Sequence, residues 1–117
     1  MAGISLSILE ASKKYDVSED TLRYYEKIGL AKSHRKESGI RYYDEEDQAR
    51  LEFIKCMRSA GVSVEALIRY MKLLEEGDVT IPERKALLAE QREELIAKKA
   101  AIEHSIERLN YKIANYD

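Results

Sequence analysis

Hydrophobic side chains along this chain recur mainly at the three- and four-residue spacing of an amphipathic helix. Before residue 77 this spacing occurs in four short segments; the third carries Leu51 and Ile54, and the fourth carries Leu67 and Met71. After residue 80 a single longer segment shows steps of seven, four and three residues. These periods predict four short helices followed by one long helix.

The segment from residue 31 to residue 43 has no helical period. Ser38-Gly39 offers a turn, and short extended arms flank it, the second of them ending in Ile40-Arg41-Tyr42-Tyr43. We therefore predict a mainly all-α fold with one small β-hairpin between its second and third helices.

Capping residues precede the predicted helices. Ser7 and Glu10 have the Ser-x-x-Glu form of a capping box, Ser18 precedes two acids, and Ser63 precedes the fourth helix. The first two helices, joined by a tight turn at residues 15–17, have the spacing of a helix-turn-helix, and the hairpin after them would be its wing. The fold class that we predict is a winged helix-turn-helix domain.

The long segment after Ile81 contains no glycine and has one early proline, Pro82, which suits a helix start. Its apolar seam consists of Leu88, Leu95, Ile102, Ile106, Leu109 and Ile113. A lone helix of this length cannot bury such a seam, so we predict a homodimer held by a coiled coil. Folding of this helix back onto its own domain remains an alternative. We divide the chain into a domain over residues 1–77 and a dimerisation helix over residues 78–117.

Positive charge and tyrosine are concentrated in the second helix and the hairpin. Between residues 23 and 41 there are six Lys or Arg against two acids, the pair Tyr24-Tyr25 lies among them, and the pair Tyr42-Tyr43 follows directly. Cations neutralise phosphates, and tyrosines hydrogen-bond phosphates or pack on sugars, so this mixture suits the backbone of a DNA duplex. A solvated helix with core tyrosines is the alternative. The net charge of −2 means that any DNA binding relies on this local patch.

Bulk features narrow the class of protein further. The chain of 117 residues is 44% hydrophobic and 36% charged, and it lacks a membrane-span-like run or a signal-peptide pattern. We expect a cytoplasmic protein without a membrane partner. We also expect no cofactor and no catalysis, because no catalytic His and carboxylate set, phosphate-cradling glycine loop or nucleophile elbow is present.

Several motifs in unbroken order carry a resemblance to a known family. Thr21-Leu-Arg-Tyr-Tyr-Glu-Lys-Ile-Gly-Leu, Gly39-Ile-Arg-Tyr-Tyr-Asp, Leu51-Glu-Phe-Ile-Lys and Ala60-Gly-Val-Ser-Val-Glu resemble the MerR family of bacterial transcription regulators, over residues 6 to 77. The resemblance implies an antiparallel coiled coil between two protomers. It also implies activation by bending and untwisting a promoter so that RNA polymerase engages both of its elements.

A twofold dimer reads a pseudo-palindrome with one recognition helix in each major groove. We expect Thr21 to contact a base edge or nearby sugar. The other predicted DNA-binding residues, which are given below, should contact phosphates or support binding electrostatically. The resemblance adds Arg58, at a position where the family has a basic residue facing the central DNA. The full set of predicted DNA-binding residues is Ser18, Thr21, Arg23, Tyr24, Lys27, Arg35, Lys36, Arg41, Tyr42 and Arg58.

The single cysteine, Cys56, lies between Lys55 and Arg58 in the third helix. Positive neighbours favour a thiolate, whereas a small buried filler is the alternative. The run from Phe53 to Arg58 resembles the AdhR-like and NmlR-like branch of the family, which implies that Cys56 senses aldehydes and other electrophiles. A metal-responsive regulator is less favoured, since residues 78–117 contain no cysteine and the two histidines have no metal-site spacing.

Function classes other than regulation remain to be distinguished. An architectural or excisionase-like winged protein would bind DNA without inducer-dependent transcription, and a coiled-coil adaptor would lack sequence-specific DNA binding. An enzyme is the least favoured class.

Overall fold

The computed structural model describes residues 3–116, and its helices and wing hairpin follow the predicted order. Strand β1 and helices α1 and α2 come first, then the wing strands β2 and β3, then three more helices. The bounds are β1 Leu6–Ser7, α1 Ile8–Tyr15, α2 Glu19–Lys27, β2 His34–Arg35, β3 Arg41–Tyr43, α3 Glu45–Ser59, α4 Val64–Glu75 and α5 Ile81–Ala114, with a 3₁₀ turn at Asp78–Thr80. The prediction of a mainly helical winged helix-turn-helix with a long last helix is confirmed.

The side chains that the sequence predicts as helix caps do cap the helices in the structure. Ser7 Oγ accepts from the Glu10 amide at 3.1 Å, and Glu10 Oε1 accepts from the Ser7 amide at 2.9 Å, which completes a capping box. Ser18 and Ser63 cap α2 and α4 in the same way. These caps satisfy amides that have no partner inside the helix, so each helix start is fixed locally.

The turn between α1 and α2 depends on Asp16, whose φ of 53° lies in the left-handed region. Aspartate tolerates this conformation better than most residues, and the amides of Asp16 and Val17 both bond to the carbonyl of Ser12. Ser12 also donates its hydroxyl to the Val17 carbonyl at 2.5 Å. The turn therefore fixes the angle at which α2 leaves α1.

The wing is part of a three-stranded antiparallel sheet in the order β1-β3-β2. Leu6 lies opposite Tyr43, and His34 lies opposite Tyr42. Strand β1 was not predicted, because two residues are too few to show an alternating pattern and Ser7 already serves as a helix cap. Its pairing ties the hairpin to the start of α1.

The four short helices and the sheet enclose one apolar core. Its largest fully buried side chains are Tyr43, Leu22, Leu30, Ile54 and Leu67. Leu9 on α1 is exposed and lies outside this core.

Helix α5 has two dissimilar halves. Leu87 is buried in the core, and a Cβ added at Gly61 would lie 2.9 Å from Leu95 Cδ2, so the first half packs against its own domain. Every residue from 97 to 116 is exposed. The alternative of folding back thus describes the first half, while the second half projects outward and extends the molecule to 70 Å. Within residues 3–116, no helix is both long enough and apolar enough to cross a bilayer.

Candidate nucleic-acid interface

Helix α2 presents a small polar surface at its start. Ser18 Oγ accepts from the Thr21 amide at 3.0 Å and donates to Thr21 Oγ1 at 2.8 Å. The capping bond therefore also orients the Thr21 hydroxyl, which is half-buried. Ser18 and Thr21, two of the predicted DNA-binding residues, therefore lie together at the N-terminus of α2. Backbone amides and the helix dipole favour an anion at this position.

The next turns of α2 expose Arg23, Tyr24 and Lys27. Arg23 Nη1 lies 3.0 Å from Asp20 Oδ1, and Arg23 Nη2 lies 3.6 Å from Glu19 Oε1. Such exposed pairs contribute little to stability, so a phosphate can replace these acids at low cost. Tyr24 is 53% exposed and its hydroxyl is available to a ligand.

The tip of the wing is exposed from residue 34 to residue 40. Arg35 Nη1 donates to the Gly39 carbonyl at 3.1 Å, and the Lys36 amide donates to the Ile40 carbonyl at 2.9 Å. These bonds close the turn, which Gly39 allows with a φ of 87°. Arg35 therefore braces the turn with part of its guanidinium, and Lys36 is the freer cation.

Glu26 joins α2 to the wing, which sequence reasoning missed. Its carboxylate accepts from the hydroxyl of Ser33 and from Tyr43 at 3.1 Å, and Arg41 Nε lies 2.9 Å from Glu26 Oε2. Burial raises the pKa of Tyr43 well above its usual value, and the neighbouring Glu26 carboxylate raises it further. We call these contacts of Glu26 with Ser33, Arg41 and Tyr43 the Glu26 node. The sequence gives no periodic signal for it, because Glu26 counts there only as one acid within a basic segment.

Arg41 has a side chain that is only 17% exposed. Its Nε makes no directed hydrogen bond, so the contact with Glu26 is an ion pair. Arg41 thus holds the wing in place, in addition to the phosphate contact that we predict for it.

Tyr42 faces away from the core and stacks on His34, with ring centroids 5.5 Å apart at an angle of 28°. His34 Nδ1 lies 2.7 Å from Asp47 Oδ2 and 3.5 Å from Asp44 Oδ2. The hydrogen bond with Asp47 raises the pKa of His34. This contact links β2 to the start of α3.

His34, Asp44 and Asp47 are also the one group, among the described residues, whose potential metal-ligand atoms all lie within 4.8 Å of one another. Sequence spacing did not bring these three together. Asp44 Oδ1 accepts from the Asp47 amide at 2.8 Å, and Asp47 Oδ2 accepts from the Asp44 amide at 3.0 Å. The two aspartates therefore already serve as the capping box of α3.

Arg58 lies at the end of α3, where Nη1 donates to the Val62 carbonyl at 2.9 Å. With Lys55 it lines a cavity of about 170 Å³ whose other walls include Val17 and Leu22. Arg58 is therefore exposed beside the start of α2, on the same side as the helix-turn-helix turn.

Cys56 is exposed on α3, so the alternative of a buried filler is wrong. Its Sγ lies 3.8 Å from Glu52 Oε1, one helical turn earlier, and donates a weak hydrogen bond to it. Glu52 is thus a third charged neighbour of Cys56, beside Lys55 and Arg58, the neighbours that the sequence indicates. The thiol is open to a reagent, with an acceptor for its proton at hand.

The predicted dimerisation residues divide between the two halves of α5. Leu88 and Leu95 are half-buried within their own protomer, whereas the remaining four are at least half exposed. Those four are Ile102, Ile106, Leu109 and Ile113. Large apolar side chains at this exposure form an unpartnered stripe.

Comparison with known proteins agrees with this geometry. Residues 6–74 match the family described as MerR HTH family regulatory protein, and residues 48–111 match the family described as MerR, DNA binding. The HTH-type transcriptional regulator AdhR of Bacillus subtilis is 52% identical over 92 residues, which cover 78% of this chain and 66% of that relative.

Two solved structures have the same fold. A crystal structure of a MerR family transcriptional regulator from Listeria monocytogenes is 48% identical with a TM-score of 0.85, and covers 96% of this chain and 86% of its own. HiNmlR, a MerR family regulator lacking the sensor domain and solved bound to promoter DNA, is 30% identical with a TM-score of 0.81, at coverages of 97% and 90%. The resemblance inferred from the sequence is therefore confirmed: the chain belongs to the MerR family of helix-turn-helix regulators, as a DNA-binding transcriptional regulator and not an enzyme.

Proposed function

We propose that two copies of this chain bind a pseudo-palindromic promoter and distort it so that RNA polymerase can engage both promoter elements. The observation that carries this proposal is the Glu26 node. It holds α2, which is the recognition helix in this proposal, and the wing together as one rigid basic surface. HiNmlR, which shares the fold, is bound to promoter DNA in its structure. The cytoplasm, where such DNA lies, is the location that this function requires.

Dimerisation accounts for the exposed stripe on α5. Burying one Ile or Leu side chain stabilises an assembly by roughly 1.5–3 kcal/mol, and four such residues project from the second half of the helix. A second α5, packed as a coiled coil, buries this stripe on both copies at once. The dimerisation unit in this proposal is the segment from residue 78 onward, and residues 1–77 form the DNA-binding unit.

Rigidity matters because the promoter is deformed and not merely occupied. A strong bend in a site of this length takes several kcal/mol, on the order of 1–6 by elastic estimates. Thr21, Arg23 and Tyr24 would anchor α2, while Lys36 and Tyr42 would anchor the wing. If the two elements moved independently, each could contact phosphates without transmitting force to the duplex.

The remaining predicted residues have supporting roles in this proposal. Ser18 orients Thr21, Arg41 fixes the wing, and Lys27, Arg35 and Arg58 add positive charge around the phosphates. These roles separate into two classes by experiment, because loss of a phosphate contact lowers the salt dependence of binding whereas loss of a positioning contact does not.

We further propose that Cys56 senses aldehydes or other electrophiles. With an aldehyde, a bond forms between Sγ and the carbonyl carbon, the carbonyl π electrons move to oxygen, and the thiol proton ends on that oxygen as a hemithioacetal. No oxidant is required. The adduct adds bulk and a hydroxyl beside Glu52, at the helix that connects the wing to the α4 and α5 pair.

The test is transcription in vitro from the upstream region of the gene, with wild-type and Cys56→Ser protein, with and without acetaldehyde. We expect both proteins to footprint the promoter and only the wild type to change transcription on addition of aldehyde. Glu52→Gln keeps the thiol and removes its acceptor, and we expect its response to occur at a different aldehyde concentration. A full response from Cys56→Ser would overturn the sensor proposal, and absence of a footprint would overturn the promoter proposal.

A further inference from the structure

A surface cavity of about 740 Å³ lies between the segment that leads into the wing and the facing sides of α3 and α4. It is separate from the DNA-facing surface of α2, and Cys56 does not line it. Its volume falls in the range of small-molecule sites. Of the residues that the promoter and thiol proposals use, only Glu26 and its partner Ser33 line it.

The apolar part of the wall is an aromatic pair. Phe53 of α3 and Tyr70 of α4 stack with ring centroids 4.9 Å apart at an angle of 23°, and both rings remain half-buried. Met71 and Leu74 line the same side. This surface suits a flat apolar group, since aromatic faces add attraction beyond the burial of their area.

Two of the three acids that line the cavity already have partners. Glu26 accepts from Ser33 and Tyr43 and pairs with Arg41, while Asp47 accepts from His34 and caps α3. These carboxylates are therefore not free to bind a cationic ligand without breaking the contacts that hold the wing.

One cation of the wall, Arg50, is in the opposite situation. Arg50 is 17% exposed, and its Nη1 is buried without a hydrogen-bond acceptor. The nearest acid, Glu75, places Oε1 3.9 Å from that nitrogen, because the same oxygen is held 2.8 Å from Lys32 Nζ. An unpaired buried donor on a guanidinium is costly, so this wall lacks one acceptor.

We propose that this cavity binds a small carboxylate with a flat apolar body, such as an aromatic acid. Because Arg50 Nη1 is buried, the carboxylate reaches it by displacing the exposed Glu75 side chain, and it then also approaches Lys32. The apolar body lies against Phe53 and Tyr70. Glu75 competes for the same two cations from the edge. Because residues 31–34 form one wall and continue into β2, an occupied cavity would also restrain the base of the wing.

Benzoate is the probe, with benzylamine of similar size and opposite charge as its counterpart. Titration of the full-length protein followed by amide and side-chain NMR should give saturable shifts around Arg50, Phe53 and Tyr70 for benzoate and none for benzylamine. We expect a dissociation constant on the order of 1 mM for a ligand of this size. Equal shifts with both probes, or none with benzoate, would overturn the proposal.

Three variants assign the binding to this wall. Arg50→Gln should weaken benzoate about tenfold or more, because a charge-assisted hydrogen bond is lost. Glu75→Gln should tighten it severalfold by removing the competing carboxylate, and this exposed position leaves the proposal testable should Arg50→Gln fail to fold. Arg69→Gln, exposed on α4 outside the cavity, is the charge-matched control and should bind as the wild type does. Unchanged affinity in both Arg50→Gln and Glu75→Gln would place the ligand elsewhere.

Discussion

At the scale of single residues, the contacts that decide the shape of the basic surface come from an acid. Glu26 lies on α2 and contacts both β3 and the segment before β2. Its carboxylate compensates the charge of Arg41, whose guanidinium is largely removed from water. A buried cation without its partner is strongly unfavourable. Removal of Glu26 should therefore affect the fold before it affects DNA chemistry.

We predict that Glu26→Gln lowers the free energy of unfolding by about 2–4 kcal/mol. The change leaves the charge of Arg41 without its partner and weakens the hydrogen bond from Tyr43. Urea denaturation measures this loss. Glu37→Gln, the same change at an exposed wing position, is the control and should shift the value by less than about 0.5 kcal/mol. Equal effects of the two changes would mean that the node does not hold the wing.

His34 gives the contact between β2 and α3 a dependence on pH. Its pKa is raised above 6.5 in the folded protein by Asp47, so the charged form stabilises the fold. This contribution is fully present below the unfolded pKa near 6.5 and is lost as pH rises through the higher folded value. The relevant window is therefore above about pH 6.5.

We predict that the stability difference between wild type and His34→Gln is larger at pH 6 than at pH 8.5, because deprotonation of the wild-type histidine removes its favourable charge as pH rises. Unfolding of both proteins in urea at the two pH values measures it. Above pH 6 the carboxylates with lowered pKa values, such as Glu10 and Glu75, are already ionised and do not interfere. A difference that is constant across the window would exclude a charged His34 contact.

At the scale of elements, the helices were predictable because their information is local. Each start depends on a side chain three residues from the amide that it caps, and each buried face repeats within one segment. Glycine and aspartate at left-handed positions marked the turns by the same local logic. Strand β1 and the Glu26 node were not predictable, because both depend on pairings with residues far along the chain.

The junction of α3, α4 and α5 shows the same limit. The heptad spacing predicts one continuous stripe on α5, yet Leu87 is buried in the domain and Leu95 lies against Gly61. Nothing in the heptad spacing distinguishes a residue that packs on its own domain from one that packs on a second copy. Only the position of the α3–α4 turn beside α5 separates them.

We predict that Gly61→Ala destabilises the protein by more than Gly39→Ala does. Both glycines have positive φ, 94° and 87°, so each substitution carries a backbone penalty of about 1 kcal/mol. Only at Gly61 does the new Cβ also meet a side chain, Leu95, at 2.9 Å. Thermal unfolding of both variants measures the difference, and Leu95→Ala in the Gly61→Ala background should recover the steric part. Equal losses would show that α5 does not rest on this turn.

At the scale of the whole molecule, the second half of α5 exposes apolar side chains that no other described part of the chain covers. The exposed stripe from Ile102 to Ile113 keeps apolar area in water, while the first half of the helix fixes its direction relative to the DNA-binding unit. A second copy would therefore pack against a helix whose direction is already fixed. The spacing between two recognition helices would follow from this geometry, as a pseudo-palindromic site requires.

We predict that Ile106→Lys weakens self-association at least about 100-fold, since a symmetric dimer loses two buried isoleucines at roughly 1.5–3 kcal/mol each and gains two unpaired charges. Ala100→Lys adds the same side chain six residues earlier, on the side of α5 opposite the seam, and should leave association nearly unchanged. Sedimentation equilibrium measures both, and a promoter-length duplex should lose cooperative binding with Ile106→Lys alone. Each unit should keep its fold, because residue 106 touches none of the core that encloses Leu22 and Ile54. Dimers of equal strength in the two variants would assign the exposed stripe to a partner other than a second copy of this chain.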